Sequence, residues 1–534
     1  MKMARKSQWA RVVTWGLAWG LAGLVTAGCA SNDTDEAQQG TNNNGTHTAD
    51  SDSSQPHSTG NTPPHSTDSA PPHGTDSVST PPPDSSSLHP DTSPPPPFGN
   101  CELTAARVRI TEIDVGMTVQ NNETDGTGSV LQPIMMAAIP SGGSRVAWMG
   151  QDAQVHVATL DGDDQLTGAP IGVPARSFAD IYADNAGGVV LVTRDAHGSG
   201  ERHCGELNNL CGAASERDWQ GQWNCWDMYL VRFDGSSETW ATNLTESTPT
   251  NPPYLTSPTG SSLRFIWEPF AHHGRIASDG ESYAAYFGAA VSVSQSCQSQ
   301  GSVHATAVNI HQGDRMQVVD LAGDLLQRRG GFDWGCSHSG YERVVWDAAT
   351  SEYVAVCKTD NNNRLARPAP YRTIRSVDLW YANMSDLVPA GDGRIWLATS
   401  DIRPGERANA SGLADIHLLA FTDGEAVQDV VLASESGVNH RAPQLAAYGA
   451  ERMVVAWDAG TSPGDFDFSR GERQMHLQIV SRETGEAEGA ALPVDMRGNR
   501  YHKLVGFPDG SVAYAGRGTA ATQIKILRVL PCRE

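Results

Sequence analysis

Four histidines in the second half of the chain are the residues best placed to bind a metal ion. His273, His338, His440 and His502 each stand just before or at the start of a strand in a repeated pattern. Neutral imidazoles that converge on one point bind Zn or Mn and leave open positions for catalysis. A metal site is therefore one hypothesis, and local hydrogen bonding by each histidine is the alternative. Our main interpretation needs no cofactor.

A second set of candidate ligand-binding residues lies in three long segments, 197–227, 246–275 and 328–342. The set interleaves tryptophan with charged side chains: Trp219, Trp223, Trp226, Trp267, Trp334, Arg217, Arg264, Glu268 and Asp333. Flat rings stack on sugars or peptides while charged groups fix their orientation, so the set indicates a binding site. Packing of the rings onto the body of the domain is the alternative.

Several function classes receive no support from the sequence. No P-loop, HExxH, GxSxG or dinucleotide-binding fingerprint occurs in it, and these motifs carry the chemistry of the corresponding enzymes. The formal net charge is -23 at pH 7, which is opposite to the basic footprint of a nucleic-acid binder. We therefore expect no nucleic-acid partner.

A repeated β-structure must position these candidates. A hairpin pattern, in which a turn of Gly, Asp, Asn or Ser joins two short strands, starts at residues 137, 181, 276, 344, 387, 445 and 504. A single-strand pattern starts at residues 155, 228, 316, 374, 416, 475 and 524, and alternates with the first pattern along the chain. Strand–turn–strand followed by a third strand, repeated without long helical periodicity, predicts a β-propeller.

The predicted fold is all-β, a seven-bladed β-propeller over residues 101–534. Strands A and B of each blade come from the hairpin, strand C from the second pattern, and a variable strand D lies outermost. Only PCRE follows the last strand C, so we expect ELTAARVRITEI from residue 102 to supply its strand D. This closure brings Cys101 near Cys532 and predicts a disulfide between them. A β-sandwich or two smaller β domains is the alternative.

In a propeller the D-to-A and B-to-C connections emerge on one face, which we call the loop face. The three long segments fall on this face, and six further cysteines lie in or beside such connections: Cys204, Cys211, Cys225, Cys297, Cys336 and Cys357. The chain has nine cysteines, and eight remain once Cys29, which belongs to the N-terminal segment described below, is set aside. An even count in an exported chain predicts disulfides, with the pairing of these six left open. Long connections that disulfides hold in place often carry function, so we expect the loop face to bind a partner molecule.

The histidines allow a different function on the same face. Strand A is innermost, so the four histidines could ring the mouth of the central channel. That arrangement is similar in geometry, though in no sequence motif, to some metal-dependent pectic lyases that use histidines on a propeller. The similarity implies a polysaccharide lyase or hydrolase as an alternative function.

Residues 1–28 have the features of an export signal. Four basic residues precede the apolar stretch 12–28, which ends in small residues, a pattern typical of secretory signals. The stretch Thr26-Ala27-Gly28-Cys29 resembles the lipobox of bacterial lipoproteins, although Thr26 stands where Leu is usual. The resemblance implies that Cys29 is acylated and anchors the protein in the cell envelope, and Ala30 is compatible with the outer membrane. A soluble exported protein is the alternative.

Residues 29–100 are predicted to form a disordered tether. Residues 30–100 contain no Lys or Arg and consist mostly of Ser, Thr, Pro, Asp, Asn, Gly and His. This composition cannot bury enough apolar surface to offset the entropy cost of ordering. The chain would then consist of a signal peptide (1–28), a tether (29–100) and a propeller (101–534).

These features predict an envelope-anchored, monomeric lipoprotein. It would contact the membrane through its lipid anchor and bind a protein or glycan partner through the loop face. Two alternatives stay open: the metal-dependent lyase or hydrolase at the channel mouth, and a structural surface protein without a ligand site.

Overall fold

Consecutive antiparallel strands form a ring of sheets in the computed structural model, which is an all-β propeller. The structure describes residues 101–120, 132–195, 202–203, 206–207, 219–220, 224–245, 257–259, 262–295, 308–326, 332–333, 341–358, 362–367, 372–376, 383–403, 412–463 and 472–532. The predicted signal peptide, the tether and Cys29 lie outside this part of the chain.

Short hairpins build the blades because their turns carry their own hydrogen-bond acceptor. In the first turn of blade 2, Asp184 Oδ1 accepts the backbone N–H groups of Ala186 and Gly187, each at 2.8 Å. Aspartates accept backbone N–H groups in the same way in four other A-to-B turns: Asp279, Asp347, Asp392 and Asp509. An aspartate side chain that binds the backbone two residues ahead favours a tight turn, which explains why the hairpin pattern recurs.

The first three blades follow a 3-10 turn (Ala105–Arg107) and strand β1 (Val108–Asp114). Blade 1 comprises β2 (Met135–Ala138), β3 (Ser144–Met149), β4 (Gln154–Leu160) and β5 (Ile171–Pro174). Blade 2 comprises β6 (Ser177–Ala183), β7 (Gly187–Asp195), β11 (Asn224–Asp234) and β12 (Ser237–Asn243), with the short strand β8 (Arg202–His203) paired to β11. Between β8 and β11, strands β9 (Glu206–Leu207) and β10 (Trp219–Gln220) form a separate two-stranded sheet. Blade 3 comprises β13 (Ser257–Thr259), β14 (Ser262–Ser278), β15 (Ser282–Gln295), β16 (Val308–Asp320) and β17 (Phe332–Asp333).

Three further blades and a closing sheet complete the ring. Blade 4 comprises β18 (Glu342–Asp347), β19 (Glu352–Lys358), β20 (Asn362–Arg367) and β21 (Arg372–Ser376). Blade 5 comprises β22 (Asn383–Pro389), β23 (Ile395–Ile402), β24 (Ala414–Thr422) and β25 (Glu425–Ala433). Blade 6 comprises β26 (Asn439–Tyr448), β27 (Arg452–Gly460), β28 (Arg473–Ser481) and β29 (Leu492–Val494). The closing sheet comprises β30 (Leu504–Gly506), β31 (Val512–Arg517), β32 (Gln523–Val529) and β1.

The N-terminal strand closes the ring as the sequence predicts. Strand β1 pairs antiparallel with β32, with Val108 opposite Val529 and Asp114 opposite Gln523. The predicted disulfide between Cys101 and Cys532 is confirmed, and their Cα atoms lie 5.8 Å apart. The seven sequence repeats thus correspond to six blades built from consecutive strands and the closing sheet.

Apolar clusters fill the junctions between neighbouring sheets. In the described residues there is one cluster at each junction, including those on either side of the closing sheet. Ile526 of the closing sheet packs in one cluster with Trp148 of blade 1, and Leu527 packs in another with Leu477 of blade 6. Adjacent residues of one strand point to opposite sides of its sheet, and each side packs against a neighbouring sheet. Both sides of a central strand must therefore be apolar. This explains why the central strands are short, continuous apolar runs.

Two details of the strand assignment are wrong. The pattern from residue 374 predicts strand C of blade 4, but its first three residues lie in the outer strand β21, and β20 takes the inner place. The segment predicted as a loop before blade 3 is strand from Ser262 onward, because β14 is 17 residues long and pairs with β15, which is 14 residues long. Long paired strands satisfy their own backbone hydrogen bonds, so they can project from the ring.

Candidate functional site

The described residues place a cavity on the face opposite the loop face. Successive strands alternate in direction, so the A-to-B and C-to-D turns all emerge on one face, which we call the turn face. A cavity of about 730 Å³ lies there between the innermost strands of blades 1, 2, 5 and 6 and the closing sheet. We call it the central cavity. Apolar groups form much of its wall, including Leu387, Leu445, Leu504 and Phe507.

A network of buried charges lies beside the inner end of the central cavity. Asp386 on strand A of blade 5 lines the cavity, and Arg275 from strand A of blade 3 donates from Nε to its Oδ1 at 2.6 Å. Arg343, from strand A of blade 4, places its Nε 3.3 Å from the same oxygen. The two arginine side chains are only 3% and 1% exposed, so Asp386 is the member of the network that faces the cavity.

Backbone carbonyl groups hold the same two arginines in place. Arg275 Nη2 donates to the carbonyl oxygens of Tyr501 and His502 at 3.0 and 3.1 Å. Arg343 Nη2 donates to the carbonyl oxygen of Arg500 at 3.3 Å. The network therefore ties strands A of blades 3, 4 and 5 to the segment that leads into the closing sheet.

A second buried pair lies beside this network. Lys503 Nζ lies 2.5 Å from Asp180 Oδ1 on strand A of blade 2, and it also donates to the carbonyl oxygen of Ile181 at 2.9 Å. Asp180 Oδ2 accepts the backbone N–H of Ile276, on blade 3, at 2.9 Å. Lys503 lines the cavity, so one cation and one anion, Lys503 and Asp386, meet an occupant at its inner end.

The charges of this network are stable in their ionised forms near neutral pH. Burial alone would raise the pKa of Asp386, but the charges of Arg275 and Arg343 outweigh it and hold that pKa below its ordinary value. Burial, together with the charge of Arg275, lowers the pKa of Arg343 to about 10. An ionised carboxylate held by two arginines is a poor proton donor or acceptor at neutral pH, so the arrangement suits binding and orientation rather than acid–base catalysis.

His502, one of the four candidate metal ligands, uses both ring nitrogens inside the fold. Its Nδ1 lies 3.0 Å from the carbonyl oxygen of Ala515, and its Nε2 accepts the backbone N–H of Ile134 at 3.1 Å. These partners require the proton on Nδ1. His502 thereby joins the closing sheet to blade 1, and it has no lone pair left for a metal ion in this arrangement.

The other candidate metal ligands leave the histidine hypothesis open. His440 Nε2 lies 2.7 Å from Glu435 Oε2, and its ring meets Trp457 edge-on at 6.5 Å. Burial lowers the pKa of His440 despite Glu435. Within the described ranges, no group of three or more His, Cys, Asp or Glu side chains is arranged to hold a metal ion. The side chains of His273 and His338 lie outside the described residues, so metal binding by the set stays a prediction.

The side chains of the predicted aromatic site also lie outside the described part of the structure. Strands place the backbones of six candidates: Trp219 in β10, Trp226 in β11, Arg264, Trp267 and Glu268 in β14, and Asp333 in β17. The side chains of these six, and all of Trp223, Trp334 and Arg217, are not described. Whether the loop-face residues converge on a ligand therefore stays a prediction.

The cysteine prediction is borne out where it can be seen. Cys101 and Cys532 form the bond described above. Cys357 is buried in blade 4 and also takes part in a disulfide. Its partner is outside the described residues, as are the side chains of the other five cysteines beside the loop face.

Sequence reasoning missed the charges around the channel, although a signal for them exists. Asp180, Arg275, Arg343 and Asp386 each interrupt an apolar strand A or the residues that flank it. Charged residues are almost never fully buried unless they are paired. Opposite charges at equivalent positions of different repeats could therefore have indicated pairing across the channel.

In the part of the chain that the structure describes, no helix is long and apolar enough to cross a membrane.

No protein-family model and no curated protein sequence matches this chain. Many solved structures resemble its fold. An α-L-arabinanase from Penicillium chrysogenum in complex with arabinobiose is 11% identical with a TM-score of 0.37, and the match covers 78% of this chain and 99% of that one. The Dos1 propeller is 8% identical with a TM-score of 0.34, covering 79% and 94%. A chain of the mitotic checkpoint complex is 10% identical with a TM-score of 0.38, covering 82% and 98%. At these values the activities and ligands of those proteins say nothing about this chain.

Proposed function

We propose that this chain is an exported, envelope-anchored binding protein whose propeller holds an apolar segment of a protein partner in the central cavity. Cys29 carries the lipid that attaches it to the membrane, with the outer membrane as the location, and residues 29–100 serve as the spacer. The closing sheet acts as the seventh blade. The protein is a monomer and binds no nucleic acid.

The single observation that carries this proposal is the construction of the central cavity. Ligand sites are typically concave, about 300–1,000 Å³ in volume, and mostly apolar, with a few fixed polar groups. The cavity is about 730 Å³, and its lining is mostly apolar, with Asp386, Lys503, Arg482 and Asp509 as its charged residues. Ion pairs already hold Asp386 and Lys503 in place, so these two charges orient an occupant without losing conformational freedom of their own.

The chemistry of the lining favours a peptide segment over a sugar. Leucine, valine, proline and phenylalanine side chains offer contact area but no hydrogen bonds, whereas a saccharide presents hydroxyl groups on most of its edges. An apolar side chain would fill the cavity, and a neighbouring polar group would reach Lys503 or Asp386. The predicted loop-face site for a protein or glycan stays a second, separate possibility on residues that the structure does not describe.

Site-specific cross-linking tests the proposal on the full-length protein in cells that produce it. A photoreactive benzoylphenylalanine at Val505, which lines the cavity, is expected to capture a defined partner protein. The matched control places the same group at Val431, which is 53% exposed on the outer strand of blade 5. Mass spectrometry identifies the captured protein, and calorimetry then measures its affinity for the full-length chain.

Cavity-filling variants decide whether that partner occupies the cavity. Ala138→Trp and Ala450→Trp each add a large ring to the lining and are expected to weaken binding at least tenfold, which corresponds to about 1.4 kcal/mol. Val427→Trp, at a residue that is 57% exposed on blade 5, should leave the affinity unchanged. Two results would show that the cavity is not the binding site. One is that Val505 and Val431 give identical cross-linked products, and the other is that both cavity-filling variants bind the partner with unchanged affinity.

A further inference from the structure

A second pocket lies on the turn face between blades 2 and 3. It has a volume of about 520 Å³, and three aromatic side chains line it: Tyr182, Trp240 and Tyr283. Asp184, Arg232 and Asp234 provide its polar groups. Tyr182 also lines the central cavity, so the two sites are neighbours. We call this site the aromatic pocket, and all of its lining residues lie in the described part of the chain.

The rings of the aromatic pocket are held in fixed positions. Tyr182 and Tyr283 meet edge to face with centroids 5.7 Å apart, and Trp240 is tilted toward Tyr283 at 6.4 Å. Trp240 Nε1 donates to the carbonyl oxygen of Leu321 at 3.2 Å. A Cβ on Gly323 would lie 2.9 Å from the Trp240 ring, which shows how tightly the turn of blade 3 supports one side of that ring.

The polar groups of the pocket are arranged around Arg232. Its guanidinium group is paired with both oxygens of Asp184, it donates from Nε to Asp234 Oδ1 at 2.9 Å, and it donates from Nη1 to the Tyr283 hydroxyl at 2.9 Å. Burial alone would lower the pKa of Arg232, but the combined interactions with Asp184, Tyr283 and Asp234 outweigh burial and raise that pKa. Arg232 therefore stays charged and keeps both carboxylates in place.

Exposure shows which polar atoms an occupant would meet. The Asp184 and Asp234 side chains are 29% and 47% exposed, whereas the Arg232 side chain is 12% exposed. A carboxylate has about four acceptor positions on its two oxygens. Asp184 Oδ1 already accepts two backbone N–H groups of its turn as well as Arg232. The positions that an occupant can use therefore lie on Asp184 Oδ2 and on Asp234. The pocket thus offers aromatic surface together with hydrogen-bond acceptors at its rim.

We propose that the aromatic pocket binds a neutral saccharide unit. A sugar ring has an apolar face of C–H groups that packs on aromatic rings, while its hydroxyl groups donate to carboxylates. Two carboxylates against one guanidinium group leave the pocket with a negative surplus, which disfavours acidic sugars. Leu321, 51% exposed at the rim, adds apolar surface beside Trp240. This site is separate from the central cavity and takes a different class of ligand.

Saturation-transfer NMR on the full-length protein tests the proposal. The probes are glucose, galactose, mannose, xylose and N-acetylglucosamine, with galacturonate as the anionic and glucosamine as the cationic comparison. At least one neutral sugar should bind, with galacturonate binding at least tenfold more weakly. Thr239→Trp, at an exposed residue of the lining, should abolish the signal by filling the pocket. Asp234→Asn, which removes an acceptor without changing shape, should weaken binding severalfold.

A matched aromatic pair elsewhere provides the control. Trp346 and Tyr353 of blade 4 also meet edge to face, at 5.0 Å, but do not line the aromatic pocket. Trp240→Ala should reduce sugar binding at least tenfold, whereas Trp346→Ala should not change it. Three results would overturn the proposal: no neutral sugar binds, binding survives both Thr239→Trp and Trp240→Ala, or only the cationic or only the anionic sugar binds.

Discussion

Asp164 on the outer turn of blade 1 forms a buried ion pair with Arg528 in the last strand of the closing sheet. Arg528 Nη2 lies 2.6 Å from Asp164 Oδ1, and the two side chains are 4% and 0% exposed. Arg109 of strand β1 adds a second contact to the same carboxylate at 2.7 Å. Both strands that close the ring therefore bind the first blade through one aspartate.

Asp164→Asn tests this contact. The substitution keeps the left-handed backbone (φ 61°) that asparagine tolerates, but it leaves Arg528 without its partner charge. Removing one member of a buried ion pair typically costs about 3–5 kcal/mol, and urea unfolding should show a loss of that order. Asp163→Asn breaks a pair with Arg109 in which the aspartate is 84% exposed, and it should cost less than about 1 kcal/mol. Equal losses of stability in the two variants would contradict the conclusion that the buried Asp164 ion pair stabilises the closed ring.

The disulfide that joins the two ends of the propeller should stabilise the ring. Cys101 and Cys532 are 4% and 5% exposed and pack in the cluster between blade 6 and the closing sheet. Replacing both by serine should lower the free energy of unfolding by about 2–5 kcal/mol, because the unfolded chain is no longer constrained. Calorimetry of the double variant measures the loss. A single Cys101→Ser change should have nearly the same effect, and a stability equal to that of the unmodified protein would contradict the prediction.

Two glycines of the same turn in blade 6 allow a matched comparison. Gly485 (φ +69°) lies against the Trp396 ring of blade 5, and a Cβ there would be 2.6 Å from it. Gly489 (φ +81°) has open space at the same position. Gly489→Ala should cost about 1–2 kcal/mol for the left-handed backbone alone. Gly485→Ala should cost a further 1–3 kcal/mol, roughly, for the overlap with Trp396. Urea unfolding measures both losses of stability. Equal losses would show that the turn moves enough to remove the overlap with Trp396.

His502 should stay neutral in the folded protein well below neutral pH. Burial lowers its pKa from 6.5 to about 3. The unfolded chain takes up this proton near pH 6.5 and the folded chain does not, so the stabilisation is complete above pH 6.5 and falls as the pH drops toward 3. The ring-proton NMR signal that is absent in His502→Gln should therefore not shift between pH 8 and 4.5. It should titrate normally in urea, and titration near pH 6.5 in the folded state would contradict the bonds assigned to its two nitrogens.

Lipid attachment at Cys29 has a direct test in a producing bacterium. An alkyne-tagged fatty acid should label the unmodified protein, which should sediment with the envelope. Cys29→Ser should lose the label and move to the soluble exported fraction, because the anchoring thiol is gone. Thr26→Leu, which restores the usual lipobox residue, should keep both properties. Labelling that survives Cys29→Ser would show that the anchor lies elsewhere.

Local patterns predicted most of the ring. The hairpin turns follow from single aspartates such as Asp184 and Asp279, which bind the backbone within three residues. The apolar runs identify central strands because both of their faces pack on neighbouring sheets. Closure by β1 could be predicted because the last repeat has no strand D of its own after residue 529, while the strand that ends at Asp114 precedes the first repeat. The pattern at residue 374 predicted the wrong strand because β20 and β21 are both short, and only strand pairing decides which of them lies inside.

The sequence by itself therefore determined the class of fold, the order of most of its strands and the closure of the ring by strand β1, since these depend on residues close together in the chain or at the two ends of the propeller. Only the tertiary structure decided which charged residues meet. Arg275 and Asp386 are 111 positions apart, and Asp164 and Arg528 are 364 apart. A lone charge in an apolar strand has the same pattern whether it faces solvent, a neighbouring blade or the channel. The ring brings such charges together, because its innermost strands converge on one axis, where an unpaired charge would be costly to bury.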